Sequence, residues 1–353
     1  MGGIVLPGHV QLLTLPPLMM DPEFKNMLSK TGSLDEIKEE RRHLLMEGFN
    51  VFRPDLILTE LFPFGRRQFR FELIPLLESA KEKDRIRPMK VVCSLRDILV
   101  EKDGKPGYQS EVIQTLDRYY DLLLVHSDPE MVRLDETFPR FAEISIPTEY
   151  TGFVARPAPA RKDNGGRKII VASSGGGRVG ADLLSTSVKA VRKIPRADVE
   201  LRIFMGPFME DADRSALEKL ASSDPRISLH PFSPDFLSEL CHADLSISMA
   251  GYNTCMDILS SRTAAIVYPF SQNREQAMRA AKLEEMGFLR VIHGLDPDLL
   301  KCQIEMFLDG KFKFPGCAIN LSGAGNTALA IEKLVRGQDC LSTQMSHGAS
   351  IGK

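Results

Sequence analysis

At 353 residues the chain exceeds the roughly 100 to 200 residues of one domain, which predicts two domains joined by a linker. Its 47 acidic and 45 basic residues nearly cancel to a formal net charge of -2. With no basic surplus to neutralise a run of phosphates, nucleic acid is excluded as a primary partner. Hydrophobic residues at 43% and charged residues at 26% exclude a mainly disordered, collagenous or coiled-coil chain.

The opening segment, MGGIVLPGHVQLLTLPPLMM, has neither the basic start nor the small-residue cleavage site of a secretory signal. No apolar run approaches the roughly 18 residues of a membrane span, so a cytoplasmic protein is expected. Val10 to Leu15 reads as a first strand. Ser33 with Glu36 three places on makes a capping box, and Ile37, Leu44, Leu45 and Phe52 recur at helical spacing behind it. Further strands are expected at Leu56 to Thr59, Lys90 to Ser94 and Leu122 to His126. The arginine and aromatic mixture FGRRQFRF, from Phe64 to Phe71, reads as the start of a helix packing Phe69, Leu73, Leu76 and Leu77 on the sheet. Contact with a membrane surface through this patch stays open as an alternative.

The Pro, Gly and charge-rich segment from Thr151 to Gly166 has no periodicity and is the expected linker. It separates a first domain, residues 1–150, from a second, residues 167–335. Strands in the second are expected at Lys168 to Ser173, Leu201 to Phe204, Ile227 to His230, Leu245 to Ser248, Ala265 to Tyr268 and Leu289 to Ile292. That alternation of strand and helix predicts an α/β protein of two Rossmann-like domains with parallel sheets. Residues 336–353 carry little apolar content and are expected to be a disordered tail. The six cysteines include no C-x-x-C pair and read as reduced, and the seven histidines include no H-x-x-x-H, so no structural zinc is expected.

The strongest chemical signal is KIIVASSGGGRVGADLL. A strand ending near Ser173, followed by Ser174, Gly175, Gly176 and Gly177 and then a helix, gathers bare backbone N–H groups and a positive helix end, which suits a phosphate. Gly175, Gly177 and Gly180 also satisfy G-x-G-x-x-G, but the second strand ends in Met205, Gly206 and Pro207 without the acid that a dinucleotide's ribose requires. A second constellation follows the strand ending at Ser248. There Ala250 and Gly251 let the backbone approach a ligand, a helix is expected to start near Asn253 or Thr254, and Asp257 is expected in its first turn. Beyond Pro269, the polar residues Gln272, Asn273, Glu275 and Gln276 crowd the carboxyl end of a strand, where open α/β sheets bind ligands. Asp211 and Asp213 form a D-x-D, read as an acidic first helical turn and not as a metal site.

The glycine turn, the G-Y-N-T-x-x-D segment and the PF-x-x-x-x-EQ-x-x-RA segment occur in the order and separation found in family 28 of the GT-B glycosyltransferases. Lys168 to Gly287 resembles that family's donor-binding domain, whose best-known member adds N-acetylglucosamine to a lipid-linked peptidoglycan precursor. FRPDLIL, FPFGRRQFRFELIPLL, SLRDIL, RYYDLLLVHSDP and YTGFVARP extend the resemblance, through a bacterial group of predicted glycosyltransferases, over the first half. The resemblance implies hexosyl transfer from a nucleotide-diphosphate sugar, by analogy a UDP-sugar, to an unknown hydroxyl acceptor, with no metal or other cofactor. It implies that Ser174, Gly175, Gly176 and Gly177 hold the diphosphate and that Asp257 holds the ribose, within a segment that includes Gly251, Asn253 and Thr254. Phe232 lies in the segment that reads uracil, and Gln272, Glu275 and Gln276 lie where the donor sugar is held.

The family's amino-terminal glycine-rich loop with its histidine has no counterpart, since His9 precedes the first expected strand. The first domain is therefore expected to lack its opening strand and loop. Weak candidates for the acceptor's base are Glu60, Asp97 and His126, with Arg96 and Asp128 beside them. Two alternatives follow: a donor-binding chain without activity that serves as a partner subunit, and a UDP-sugar 2-epimerase.

Overall fold

The computed structural model describes residues 7–20, 27–29, 32–82, 88–100, 107–161, 164–176, 179–316 and 318–337. Gly177 and the expected tail beyond residue 337 lie outside them. A short antiparallel pair, β1 (Met19–Met20) and β2 (Met27–Leu28), precedes α1 (Leu34–Phe52). The Ser33 hydroxyl accepts from the Glu36 N–H at 3.4 Å while the Glu36 carboxylate accepts from the Ser33 N–H, which closes the expected capping box. Phe49 is the buried aromatic of α1, and Phe52 is 70% exposed.

The first sheet contains β3 (Leu56–Glu60), β4 (Lys90–Arg96), β5 (Leu122–His126) and β6 (Thr148–Tyr150), all parallel and in that order. Period-two alternation in β4 divides its faces. Val91, Cys93 and Leu95 join the core shared with α2 (Arg70–Ala80) and α3 (Tyr108–Tyr119), and Val92 faces the other way. Residues 10–15 are not a strand, which corrects the expectation from their apolar pattern. Leu13 touches Gly48 of α1, while Val10 and Leu12 are exposed. The fourth strand, β6, is three residues next to the linker and too short to show a pattern.

The second sheet is built from β7 (Lys168–Ser173), α4 (Ala181–Arg192), β8 (Val199–Phe204), α5 (Asp211–Ala221), β9 (Ile227–His230), α6 (Phe236–His242), β10 (Leu245–Met249), α7 (Tyr252–Ser261), β11 (Ala265–Tyr268), α8 (Arg274–Glu285), β12 (Arg290–Val291) and α9 (Pro297–Leu308). Its parallel strands run in the order β12-β11-β10-β7-β8-β9. The direction of winding reverses between β7 and β10, leaving a crevice outside their carboxyl ends. All six strands expected here are present.

The last helix, α10 (Gly323–Val335), crosses back. Its Ala330, Ile331 and Leu334 pack on Val92, Leu122 and Leu124 of the first sheet, so the segment 167–335 gives its final helix to the other unit. The crossing is tight. A Cβ on Gly152, whose φ is +84°, would lie 2.7 Å from the Asn320 carbonyl oxygen, and one on Gly323 would lie 2.4 Å from the Gly152 carbonyl oxygen. No helix among the described residues is long and apolar enough to cross a membrane.

Gly325, also in α10, has nothing within 4 Å of an added Cβ. Two substitutions two residues apart should therefore act in opposite directions in urea unfolding. Gly323→Ala should lower stability by about 1–3 kcal/mol through overpacking against backbone, whereas Gly325→Ala should raise it by about 0.5–1 kcal/mol through helix propensity. Equal effects would show that the crossing is looser than described.

Candidate functional site

The two constellations singled out in the sequence meet at the reversal point. β7 and β10 are neighbours with Ser173 opposite Ser248, so the glycine turn after one and the α7 entry after the other open into the same crevice. Ser174 leads into Gly175, whose φ of +62° suits glycine, and Gly180 caps α4 at φ +100°. A Cβ on Gly180 would lie 3.0 Å from the Ser174 Cβ and 3.3 Å from the Met249 sulfur, so glycine there lets the turn lie close against the end of β10. The Phe208 N–H donates to the Gly176 carbonyl at 3.0 Å, which braces the turn from the β8 side. The hydroxyls of Ser174 and Ser248 are buried and make no hydrogen bond within the described residues. Ser246, deeper in β10, is a third such hydroxyl.

α7 begins at Tyr252, with Gly251 as its extended N-cap and no side chain capping it. The helix thus starts earlier than expected, and Asp257 lies in its second turn, not its first, so its carboxylate is not a helix-dipole partner. Asp257 is 7% exposed and its Oδ2 accepts from Arg156 Nη2 at 2.8 Å. Burial raises its pKa above the ordinary carboxylate range while the Arg156 guanidinium opposes the rise. Arg156 also donates to the Pro234 carbonyl at 3.2 Å, which ties the loop containing Phe232 to Asp257. Phe232 itself is 59% exposed in that loop. Asn253 is exposed and Thr254 half-buried.

On the neighbouring strand end, Asn273 caps α8 by accepting from the Gln276 N–H at 3.1 Å, and the Gln276 side-chain oxygen accepts from the Phe270 N–H at 3.1 Å. Gln272 is exposed. Glu275 is held by Arg279 Nη2 at 2.5 Å. Arg279 is the deeper feature: it is fully buried, and it donates to both oxygens of Asp97, at 2.7 and 2.9 Å, across the gap between the two sheets. Although burial opposes its charge, the Asp97 carboxylate holds the guanidinium pKa above the ordinary arginine value. The Tyr252 ring stands 5.2 Å from the Arg279 guanidinium and 5.7 Å from that of Arg96, and its hydroxyl accepts from the Val154 N–H.

Of the three base candidates, Asp97 is committed to this ion pair, and Glu60 is exposed and paired with Arg96 at 2.9 Å. His126 lies between two hydroxyls, Ser94 at 2.7 Å and Thr151 at 2.8 Å. Asp128 accepts from the Asn320 N–H at 2.7 Å and fixes the crossing to α10. Asp211 and Asp213 occupy the first turn of α5. Sequence reasoning did not single out Arg156, Tyr252 and Arg279. Each stood inside a quoted motif, but partners 101, 98 and 182 positions away are invisible to local spacing.

Residues 174–304 match the glycosyltransferase family 28 C-terminal domain. A structure of Acinetobacter baumannii MurG superimposes with a TM-score of 0.53 at 13% identity, covering 94% of this chain and 86% of that one. The chain has the GT-B fold, and its second unit is similar to the family 28 C-terminal domain. A putative UDP-N-acetylglucosamine 2-epimerase from Listeria monocytogenes shares this architecture, at a TM-score of 0.61 and 16% identity over 88% of this chain and 82% of that one. By sequence, the chain is 24% identical over 227 residues to a UDP-N-acetylglucosamine--N-acetylmuramyl-(pentapeptide) pyrophosphoryl-undecaprenol N-acetylglucosamine transferase of Parasynechococcus marenigrum. That match spans 63% of this chain and 60% of the relative's length.

The buried Asp97–Arg279 pair predicts an asymmetric mutational response. Asp97→Ala alone should cost about 3–5 kcal/mol, because it strands a buried guanidinium, whereas Asp97→Leu combined with Arg279→Met should cost much less. Urea unfolding of the single and double variants checks this; additive losses would contradict it.

Proposed function

We propose that the chain transfers a hexose from a nucleotide-diphosphate sugar, with UDP as the nucleotide, to a hydroxyl acceptor, and that it does so without a metal. The observation that carries the reading is the shared crevice. The glycine turn and the Asp257 carboxylate flank one reversal point, which suits a diphosphate joined to a pentose. In this reading the N–H groups around Ser174 to Gly176 and the start of α4 accept the charge that develops on the departing diphosphate, the task a metal would otherwise perform. Asp257 takes the two ribose hydroxyls after Arg156 moves aside. Phe232 borders the base, and Glu275 and Gln276 meet the donor sugar from the start of α8. Glu275 is pre-set for this by Arg279, so its carboxylate arrives oriented.

The matched relative's name states transfer of N-acetylglucosamine from its UDP conjugate, which makes that donor the first to test. The residues 1–150, 151–166 and 167–335 then serve as the acceptor-side unit, the linker and the donor-side unit, with α10 fastening the second to the first. The acceptor enters from the side of the first sheet, whose strand ends face α7 across Arg96 and Tyr252.

Thermal unfolding with added nucleotides tests the donor assignment. UDP should raise the midpoint in proportion to RT ln(1 + [L]/Kd), and Asp257→Ala should abolish the rise. Stabilisation by NAD alone would overturn the reading, and conversion of a UDP-sugar to its 2-epimer with no acceptor present would replace it with the epimerase alternative.

A further inference from the structure

The strand ends of the first sheet hold a hydrogen-bonded relay that the donor-side reading leaves unused. Ser94 lies near the end of β4 and His126 ends β5, and the strand register sets them side by side, with Ser94 opposite Leu124 and Arg96 opposite His126. Thr151, in the linker, completes the line. Its hydroxyl lies 3.1 Å from the Gly152 carbonyl and 2.8 Å from His126 Nδ1; with the single O–H assigned to the carbonyl, the oxygen is the acceptor for Nδ1–H. That assignment leaves Nε2 as an acceptor, and the Ser94 hydroxyl, 2.7 Å away, donates to it. The arrangement is a hydroxyl, a neutral imidazole and an orienting partner, which is the general pattern of a positioned base.

The relay stands beside the donor crevice. Arg96, two residues after Ser94, pairs with Glu60 and reaches over the Tyr252 ring, and Tyr252 follows directly on the α7 N-cap. We propose that Ser94 and His126 are the base of the transfer reaction, an inference that rests on the transferase reading. As the acceptor oxygen bonds to the sugar's anomeric carbon, its proton passes to Ser94 Oγ and the Ser94 proton passes to His126 Nε2. The bond between that carbon and the phosphate oxygen breaks, and its electron pair leaves with the nucleoside diphosphate. The imidazolium so formed donates to Ser94 and Thr151.

Burial lowers the His126 pKa below its ordinary value of 6.5. The charged groups facing the ring are Glu60 from β3, which opposes the shift, and Arg96 from β4, which adds to it. The ring is therefore neutral and able to accept a proton at pH 7.

The test uses the full chain with UDP-N-acetylglucosamine as donor and glycerol as hydroxyl acceptor, with UDP binding measured by calorimetry alongside. His126→Gln should keep the UDP affinity within about twofold and lower kcat by about 100-fold, the ordinary size of a general-base contribution. It should also abolish an acid limb in the kcat profile whose midpoint lies below pH 6.5. Ser94→Ala should lower kcat by a smaller factor with UDP binding intact. Full activity or a retained acid limb in His126→Gln overturns the relay. Failure of wild-type protein to bind UDP overturns the transferase reading and the relay with it. If UDP binds without turnover, nitrogen NMR of the His126 ring decides: a proton on Nδ1 at pH 7 supports the relay, and one on Nε2 overturns it.

Discussion

The ion pair between Asp97 and Arg279 is the constraint on which the rest depends. Both side chains are fully buried, and neither charge survives burial without the other, so the two sheets are held in one relation by a bidentate contact. Arg279 then has a second effect, because Glu275 lies one helical turn before it and is held by the same guanidinium. The Glu275 carboxylate at the start of α8 is thus oriented by a residue that also fixes the neighbouring unit. Tyr252 adds a third element by standing against both Arg96 and Arg279. Position of the units, entry to α7 and orientation of α8 are in this way one structural fact.

The crossing at Gly152 and Gly323 supports the same relation from the other side. Backbone approaches backbone there more closely than any Cβ allows, and the antiparallel bridge between Val154 and Ser322, with Asn326 donating to the Thr151 carbonyl at 2.7 Å, locks the linker to the start of α10. Arg156 belongs to that same linker. Its contact with Asp257 means that the proposed ribose carboxylate is partnered by the segment joining the two units, so on the proposed function a nucleotide would exchange one partner of Asp257 for another. The exchange is favoured by the shallow position of Arg156, which is half exposed, against the deep position of the carboxylate.

The second sheet was legible in the sequence because its central strands β7, β10 and β11 are short, largely buried runs bounded by turn residues, the pattern of a parallel sheet covered on both faces. The glycine turn was legible for the same kind of reason, since Gly175 and Gly180 take backbone conformations that other residues resist. The first sheet was read less well. Val10 to Leu15 carries the apolar content of a strand yet is left largely exposed, and Thr148 to Tyr150 is too short to show a pattern although it pairs with β5. Local pattern reports apolar content, and neither whether it is buried nor against what. The same limit applies at the site: Asp257 and the Glu275 to Gln276 pair announced themselves through motif spacing, whereas Arg156, Tyr252 and Arg279 act through partners in the other half of the fold. Ser94 was overlooked because a serine in a strand has no signal of its own until a histidine is seen beside it.

The account stands most directly on a structure of the protein with UDP bound. It predicts the phosphates against the N–H groups of Ser174 to Gly176 and the ribose hydroxyls on Asp257, with Arg156 turned away from that carboxylate. A nucleotide lodged elsewhere, or an Arg156–Asp257 contact undisturbed beneath the bound ribose, would contradict it.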